Sequence, residues 1–265
     1  MSDVHDCTTP EGLAAGLEAA TAAVRAGGVV VLPTDTVYGV GCDAFDADAV
    51  RAVLAAKGRG GEMPPPVLVP DARTIDGLAR DVPRYARALV ERCWPGPLTL
   101  VLRAQSSLRW DLGDTNGTVA VRMPDHPVAL ALLAAIGPMA VTSANTTGMP
   151  PATSAADAQA QLGEAVAVYL DGGPTDSLEP STILDCTGER PVVLRAGALA
   201  ETEIDAVVAV VEQEQTQALA AERAAAAAEL DRAARARARE AAESERAADP
   251  RRQPGAPRVA GRRRR

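Results

Sequence analysis

The sequence predicts an α/β domain on a twisted, open, mixed sheet, and three observations carry that prediction. Short β-branched runs alternate with helically periodic stretches from about residue 10 to residue 202. Glycine and proline punctuate the changes of period. Some intervals between strands are too short for a crossover helix, so antiparallel neighbours must mix with parallel ones.

Each element has a local reason. Thr9 caps a helix whose first position suits Pro10; Leu13, Leu17, Ala20 and Val24 then repeat at helical spacing until Gly27-Gly28 stops them. Val29-Val30-Val31-Leu32 is continuously apolar, as a strand covered on both faces must be, and Pro33 ends it because proline cannot donate to a ladder. Pro33-Thr34-Asp35-Thr36-Val37-Tyr38-Gly39-Val40-Gly41 reads as the strand's exit, with glycines that let backbone approach a ligand. Asp46 starts a second helix with Val50, Val53 and Leu54 on one face. Lys57, four residues after Val53 and three after Leu54, continues that inward face. Further strands are expected at 67–69, 98–102, 118–122, 139–142, 166–170, 182–185 and 192–194. Pro83 and Pro127 read as first-turn prolines for helices over 83–92 and 127–136, and residues 155–162 form another.

The predicted organisation has three parts. Residues 1–202 form the α/β domain. Residues 203–248 are rich in Ala, Glu, Arg and Gln; they favour helix by propensity, yet beyond 211 only Leu219 and Leu230 are large apolar groups, so that stretch is a solvated or partner-seeking helix. The Pro/Gly/Arg stretch 249–265 is expected to be a disordered basic tail.

Composition narrows the function. The 265 residues, 47% hydrophobic, suffice for a proper core. No apolar run approaches a spanning helix, and the start has neither a basic leader nor an apolar signal core, so a cytoplasmic protein without a membrane partner is expected. Cys7, Cys42, Cys93 and Cys186 are scattered and only His5 and His126 are available, so no metal site built from protein side chains is expected. Net charge is −8, but 249–265 holds seven arginines and one aspartate, +6, which leaves −8 − 6 = −14 on residues 1–248. Such a body repels nucleic acid in general, and any anion site must be built locally.

Of the 27 basic residues, Lys57 is the one lysine. At a helix end, such a cation can cap its own carbonyls or serve an anion as a compact, mobile charge. Other polar groups cluster at strand ends: Thr34 and Thr36; Thr118 and Arg122 on one alternating face; Ser143 and Asn145 within Thr142-Ser143-Ala144-Asn145; Ser181; and Arg195. Each alone could be a turn or a cap. Together they describe a ligand crevice at the end of an open sheet. The P-loop, G-x-G-x-x-G and Ser/His/Asp hydrolase signatures are absent, and His126 before Pro127 reads as a surface or capping residue.

In order along the chain, Pro33-Thr34-Asp35-Thr36-Val37-Tyr38-Gly39, Lys57-x-Arg59, Trp94-Pro95-Gly96-Pro97-Leu98-Thr99, Val121-Arg122-Met123-Pro124, Thr142-Ser143-Ala144-Asn145, Pro180-Ser181-Thr182 and Leu194-Arg195-x-Gly197 resemble the YrdC-type threonylcarbamoyl-AMP synthase family, in its short single-domain form. The resemblance implies a nucleotidyltransferase that joins L-threonine, bicarbonate or CO2, and ATP into threonylcarbamoyl-AMP with release of pyrophosphate. It implies Mg2+ carried on the phosphates, and a product passed to a tRNA threonylcarbamoyl transferase complex. By the same resemblance, Thr34, Arg122 and Ser181 contact threonine. Lys57, Thr118, Ser143, Asn145 and Arg195 contact ATP, and Lys57 and Arg59 are catalytic. The segment Gly60-Gly61-Glu62-Met63-Pro64-Pro65-Pro66 departs from the family, where proline commonly follows the Lys-x-Arg arginine. Two other readings compete: an RNA-binding module, against which the acidic body argues though a weak RNA contact is compatible, and the carbamoyl-adenylate step of hydrogenase maturation, which occurs in much larger chains.

Overall fold

The computed structural model describes residues 2–175 and 178–248. Two compact units divide after Val211. In the first, β1 (Asp3–Asp6) leads to α1 (Pro10–Arg25), then β2 (Val30–Leu32), β3 (Gly39–Asp43) and α2 (Ala47–Ala56). Next come β4 (Val67–Leu68), the single turn α3 (Ile75–Leu78), α4 (Arg84–Cys93), β5 (Leu98–Arg103) and β6 (Thr118–Arg122). The chain continues through α5 (Pro127–Ile136), β7 (Met139–Ser143), α6 (Ala155–Leu162), β8 (Val168–Asp171), β9 (Thr182–Asp185) and β10 (Val192–Arg195) to α7 (Glu201–Ala248).

Among the described residues the strands make one sheet, in the order β1-β8-β2-β3-β7-β4-β6-β5-β9-β10. It is mixed: β8 pairs parallel with β1 and β2, whereas β3 runs antiparallel to both β2 and β7. β4 with β6 and β5 with β9 are parallel; β5 with β6 is antiparallel. Period two explains the layering, since alternate residues of a strand face opposite sides. Val30 and Leu32 join a core with α1 and α5 (Val24, Leu132, Leu133), while Val31 joins the core with α2 and α4 (Val53, Leu89).

Local chemistry fixes the helix starts. Thr9 accepts from Gly12 N, Asp46 from Asp48 N and Ala49 N, and His126 from Val128 N, so His126 is a cap. Pro83 stands one position before α4 rather than in its first turn. Two strands escape the sequence reading. β1 is a short polar edge strand, and β3 lies in the segment read as a glycine-bearing exit. The glycines of β3 serve the sheet: a Cβ on Gly39 or Gly41 would stand 2.5 or 2.6 Å from the side chain of Val141 on β7.

The first turns of α7 bury Ile204, Val208 and Val211 in the core of the first unit. In the second unit, every side chain from Gln213 to Arg246 is exposed. The tail expected over 249–265 lies outside the described residues.

Candidate active site

A cavity of about 430 Å³ opens on the sheet. The β2–β3 turn supplies Thr34 and Thr36, β5 supplies Thr99, and β6 supplies Thr118 and Arg122. β7 supplies Thr142 and Ser143, Ser181 precedes β9, Arg195 ends β10, and Arg59 follows α2. Arg59, Arg122 and Arg195 therefore face one space, whose lining among the described residues holds no carboxylate. On an acidic body, this is a locally built anion site.

At one end Arg122 is buried and anchored on three sides. Its Nε donates to Gly96 O at 3.0 Å, Nη1 to Thr36 Oγ1 at 3.0 Å, and Nη2 to Asp35 Oδ1 at 2.6 Å. Asp35 Oδ1 also accepts from Asp125 N at 2.9 Å, so the carboxylate is itself held in place. Burial lowers the pKa of Arg122 and Asp35 opposes that shift. A guanidinium has five N–H groups, so two remain for a ligand. Thr34 Oγ1 donates to Val37 O at 2.7 Å and accepts from Thr36 N at 3.2 Å, so its hydroxyl first shapes its own turn. Ser181 Oγ shares a hydrogen bond of 2.8 Å with Thr99 Oγ1, and Arg195 Nη2 donates to Ser181 O at 2.6 Å and Oγ at 3.1 Å. Thr118 Oγ1 donates to Thr115 O at 2.7 Å.

The opposite end differs from the expectation of a mobile lysine. Lys57 is 3% exposed and is the C-cap residue of α2, but its side chain leaves that helix. Nζ donates to Ser143 O at 2.5 Å, Asn145 O at 2.6 Å and Asn145 Oδ1 at 3.2 Å. An ammonium has three N–H donors, and these acceptors use them all. Lys57 and Asn145 stand behind the lining, with Ser143 in front. The Lys57 side chain neither caps the helix nor stands free: it pins the strand-to-loop corner that presents Ser143. Burial pushes its pKa down to about 8, and the neighbouring Arg59 acts in the same direction.

Arg59 is the cation that faces the cavity here. Its Nη2 donates to Thr142 Oγ1 at 3.3 Å, while its buried Nε has no hydrogen-bond partner. An unsatisfied buried donor on a cation costs free energy until an acceptor arrives. Over this end, the 60–66 loop meets the β5–β6 connection: Asp114 N donates to Gly61 O at 2.9 Å, and Met63, Pro64, Pro65 and Leu112 line the cavity beneath. Gly113 has φ +98°, and a Cβ there would lie 2.6 Å from Gly61 O, so this clasp needs glycine.

The structure thus brings Thr34, Arg59, Thr118, Arg122, Ser143, Ser181 and Arg195 to one cavity and sets Lys57 and Asn145 one layer behind it. Asp35 and Thr99 were missed as site residues, although both lie inside motifs singled out in the sequence. Their partners Arg122 and Ser181 are distant along the chain, so residue order gives no signal of the pairing.

Comparison with known proteins identifies the family. The Sua5/YciO/YrdC family model, described as "Telomere recombination", matches residues 22–197. A putative threonylcarbamoyl-AMP synthase of Mycobacterium tuberculosis is 52% identical over 210 residues, covering 79% of this chain and 97% of that protein. The threonylcarbamoyl-AMP synthase of Bacillus subtilis is 41% identical over 191 residues, covering 71% of this chain and 55% of the relative. The structure of Pyrococcus abyssi Sua5 complexed with L-threonine superposes with a TM-score of 0.70 at 38% identity, covering 72% of this chain and 57% of that one. The chain belongs to the Sua5/YciO/YrdC family.

Proposed function

We propose that the protein is a threonylcarbamoyl-AMP synthase, joining L-threonine, bicarbonate or CO2, and ATP, and releasing pyrophosphate. The observation that carries the reading is the convergence of Arg59, Arg122 and Arg195 with serine and threonine hydroxyls on one carboxylate-free lining, in a chain whose relatives bear that activity's name.

The chemistry follows from that lining. The threonine amine and CO2 form a carbamate with loss of a proton. A carbamate oxygen then attacks the α-phosphorus of ATP, the new O–P bond forms, and the bond to pyrophosphate breaks. Both partners are anions, so catalysis rests on positioning and charge neutralisation. The two free N–H groups of Arg122 suit the threonine carboxylate as a planar fork, with Thr34 and Ser181 beside it. Arg59, whose Nε lacks an acceptor, is placed for phosphate oxygens, with Ser143, Thr118 and Arg195 as further nucleotide contacts. Lys57 acts through Ser143 and Asn145 as a positioning residue. Magnesium enters as MgATP, carried on the phosphates.

Among the described residues no helix is long and apolar enough to cross a membrane. In our reading the enzyme works in the cytoplasm and hands its adenylate to a transferase acting on tRNA. The test is pyrophosphate release from MgATP with threonine and bicarbonate. Release that requires threonine supports the reading; threonine-independent release, or none, overturns it.

A further inference from the structure

Ser181 is held more firmly than a residue just ahead of β9 requires. Its backbone is fixed from several sides: Thr182 N donates to Pro97 O at 2.9 Å, Ala198 N donates to Pro180 O at 3.0 Å, and Arg195 donates to Ser181 O from Nε at 3.1 Å and from Nη2 at 2.6 Å. Gly197 packs against that carbonyl, where a Cβ would stand 2.7 Å from Ser181 O. With the backbone set, the freedom left to Ser181 is the direction of its hydroxyl. Arg195 Nη2 reaches Oγ at 3.1 Å, and Thr99 Oγ1 lies 2.8 Å from it. The bond to Thr99 is not needed to join β5 to β9, because those strands pair in parallel through their own backbones from Leu98 and Thr182 onward.

Proton counting gives the hydroxyl pair a direction. A guanidinium only donates, so Ser181 Oγ accepts from Arg195, and a hydroxyl has one proton and two lone pairs. Were Ser181 to donate to Thr99, the Thr99 proton would have no other recorded acceptor among the described residues, on a residue 1% exposed, and an unmade hydrogen bond in such a place is costly. If Thr99 donates instead, both lone pairs of Ser181 are filled, and the proton left over is that of Ser181, on the cavity lining. Two donors into one oxygen also strengthen its own O–H as a donor. The geometry points to Thr99 as a positioning residue that makes the Ser181 hydroxyl a dedicated donor to the carboxylate of the amino-acid substrate, which accepts and cannot donate. The assignment rests on the function proposed above.

The test follows L-threonine binding by calorimetry and threonine-dependent pyrophosphate release, both in the full chain. Thr99→Val keeps the β-branched shape and removes the hydroxyl, Thr99→Ser keeps the hydroxyl, and Thr99→Ala is a second hydroxyl-free variant if Thr99→Val does not fold. Removing the hydroxyl should raise the threonine KM and Kd about fivefold, with kcat and the ATP KM within about twofold of the parent, and Thr99→Ser should restore parental values. Ser181→Ala should raise the threonine KM about tenfold, and adding Thr99→Val to it should change nothing further, because Thr99 acts through Ser181. A staple between strands would lower the melting temperature and leave the threonine KM untouched, which overturns the proposal. So does a Thr99→Val effect that persists undiminished in the Ser181→Ala background, since Thr99 would then touch substrate itself, or an equal rise in the ATP KM. A parent that neither binds threonine nor releases pyrophosphate overturns the functional reading and this assignment with it. A parent that does both, matched by Thr99→Val, overturns this assignment alone.

Discussion

Two buried cations, Arg122 on the cavity lining and Lys57 one layer behind it, are held by different kinds of partner. Arg122 has a carboxylate, Asp35, at 2.6 Å, so its charge is balanced before any substrate enters. Lys57 has neutral acceptors, two backbone carbonyls, an amide oxygen and, at 3.5 Å, the Ser143 hydroxyl, and another cation, Arg59, acts on it electrostatically. A balanced guanidinium with two free N–H groups orients a small carboxylate without gaining a large net charge. The Lys57–Arg59 pair has no ion-paired carboxylate among the described residues, although Glu62 acts on Arg59 from the adjoining loop, and two such cations suit a polyphosphate. In the reading proposed above, this difference puts threonine beside Arg122 and nucleotide beside Arg59.

The strongest way to break the comparison is Arg122→Leu. It strands the Asp35 carboxylate in a largely buried site, so stability should fall by about 3–5 kcal/mol and threonine-dependent turnover should vanish. Chemical denaturation and pyrophosphate release read the two effects. The double variant Arg122→Leu with Asp35→Leu should recover much of the stability and none of the activity.

Lys57→Ala leaves three acceptors behind the cavity without their donor. The expected loss is about 1–3 kcal/mol in stability, with turnover down on the order of a hundredfold as the Ser143 corner relaxes. Near-parental turnover would make Lys57 structural only. A smaller effect is expected from Gly113→Ala, which cannot keep both φ +98° and the contact with Gly61 O. Opening this clasp should cost about 1–2 kcal/mol and raise the KM for ATP several-fold while the threonine KM stays put.

The smallest effect is a pH dependence with two opposite slopes. Lys57 has a pKa of about 8 in the fold against an ordinary 10.5, so between these values the unfolded chain holds the proton that the folded chain has released. Its contribution to stability therefore rises with pH across that window. Nucleotide affinity should move the other way, weakening as pH passes about 8 and the Lys57 end loses charge. Lys57→Met should flatten both slopes in pH-resolved denaturation and ATP titrations.

Much of this was legible in the sequence, because local rules fixed it. Thr9, Asp46 and His126 cap helices, continuous β-branched runs mark central strands, and short intervals force a mixed sheet. The inward placement of Lys57 also follows from its spacing after Val53 and Leu54. What stayed hidden depends on partners distant along the chain. β3 is a strand because β2 and β7 flank it, and its glycines yield room to Val141, so a strand with such weak propensity reads as a loop. The Asp35–Arg122 pair joins residues 87 apart, and the Lys57 acceptors lie 86 and 88 residues away, so side-chain type alone suggested a mobile ammonium where folding built a pinned one.

The most direct measurement of the two-ended site compares Michaelis constants in Arg122→Lys and Arg59→Gln. Arg122→Lys keeps the charge beside Asp35 and loses the fork, so the threonine KM should rise more than tenfold with the ATP KM near that of the parent. Arg59→Gln should do the reverse. If both variants raise the same KM, or either raises both equally, the division of the cavity into a carboxylate end and a phosphate end is contradicted.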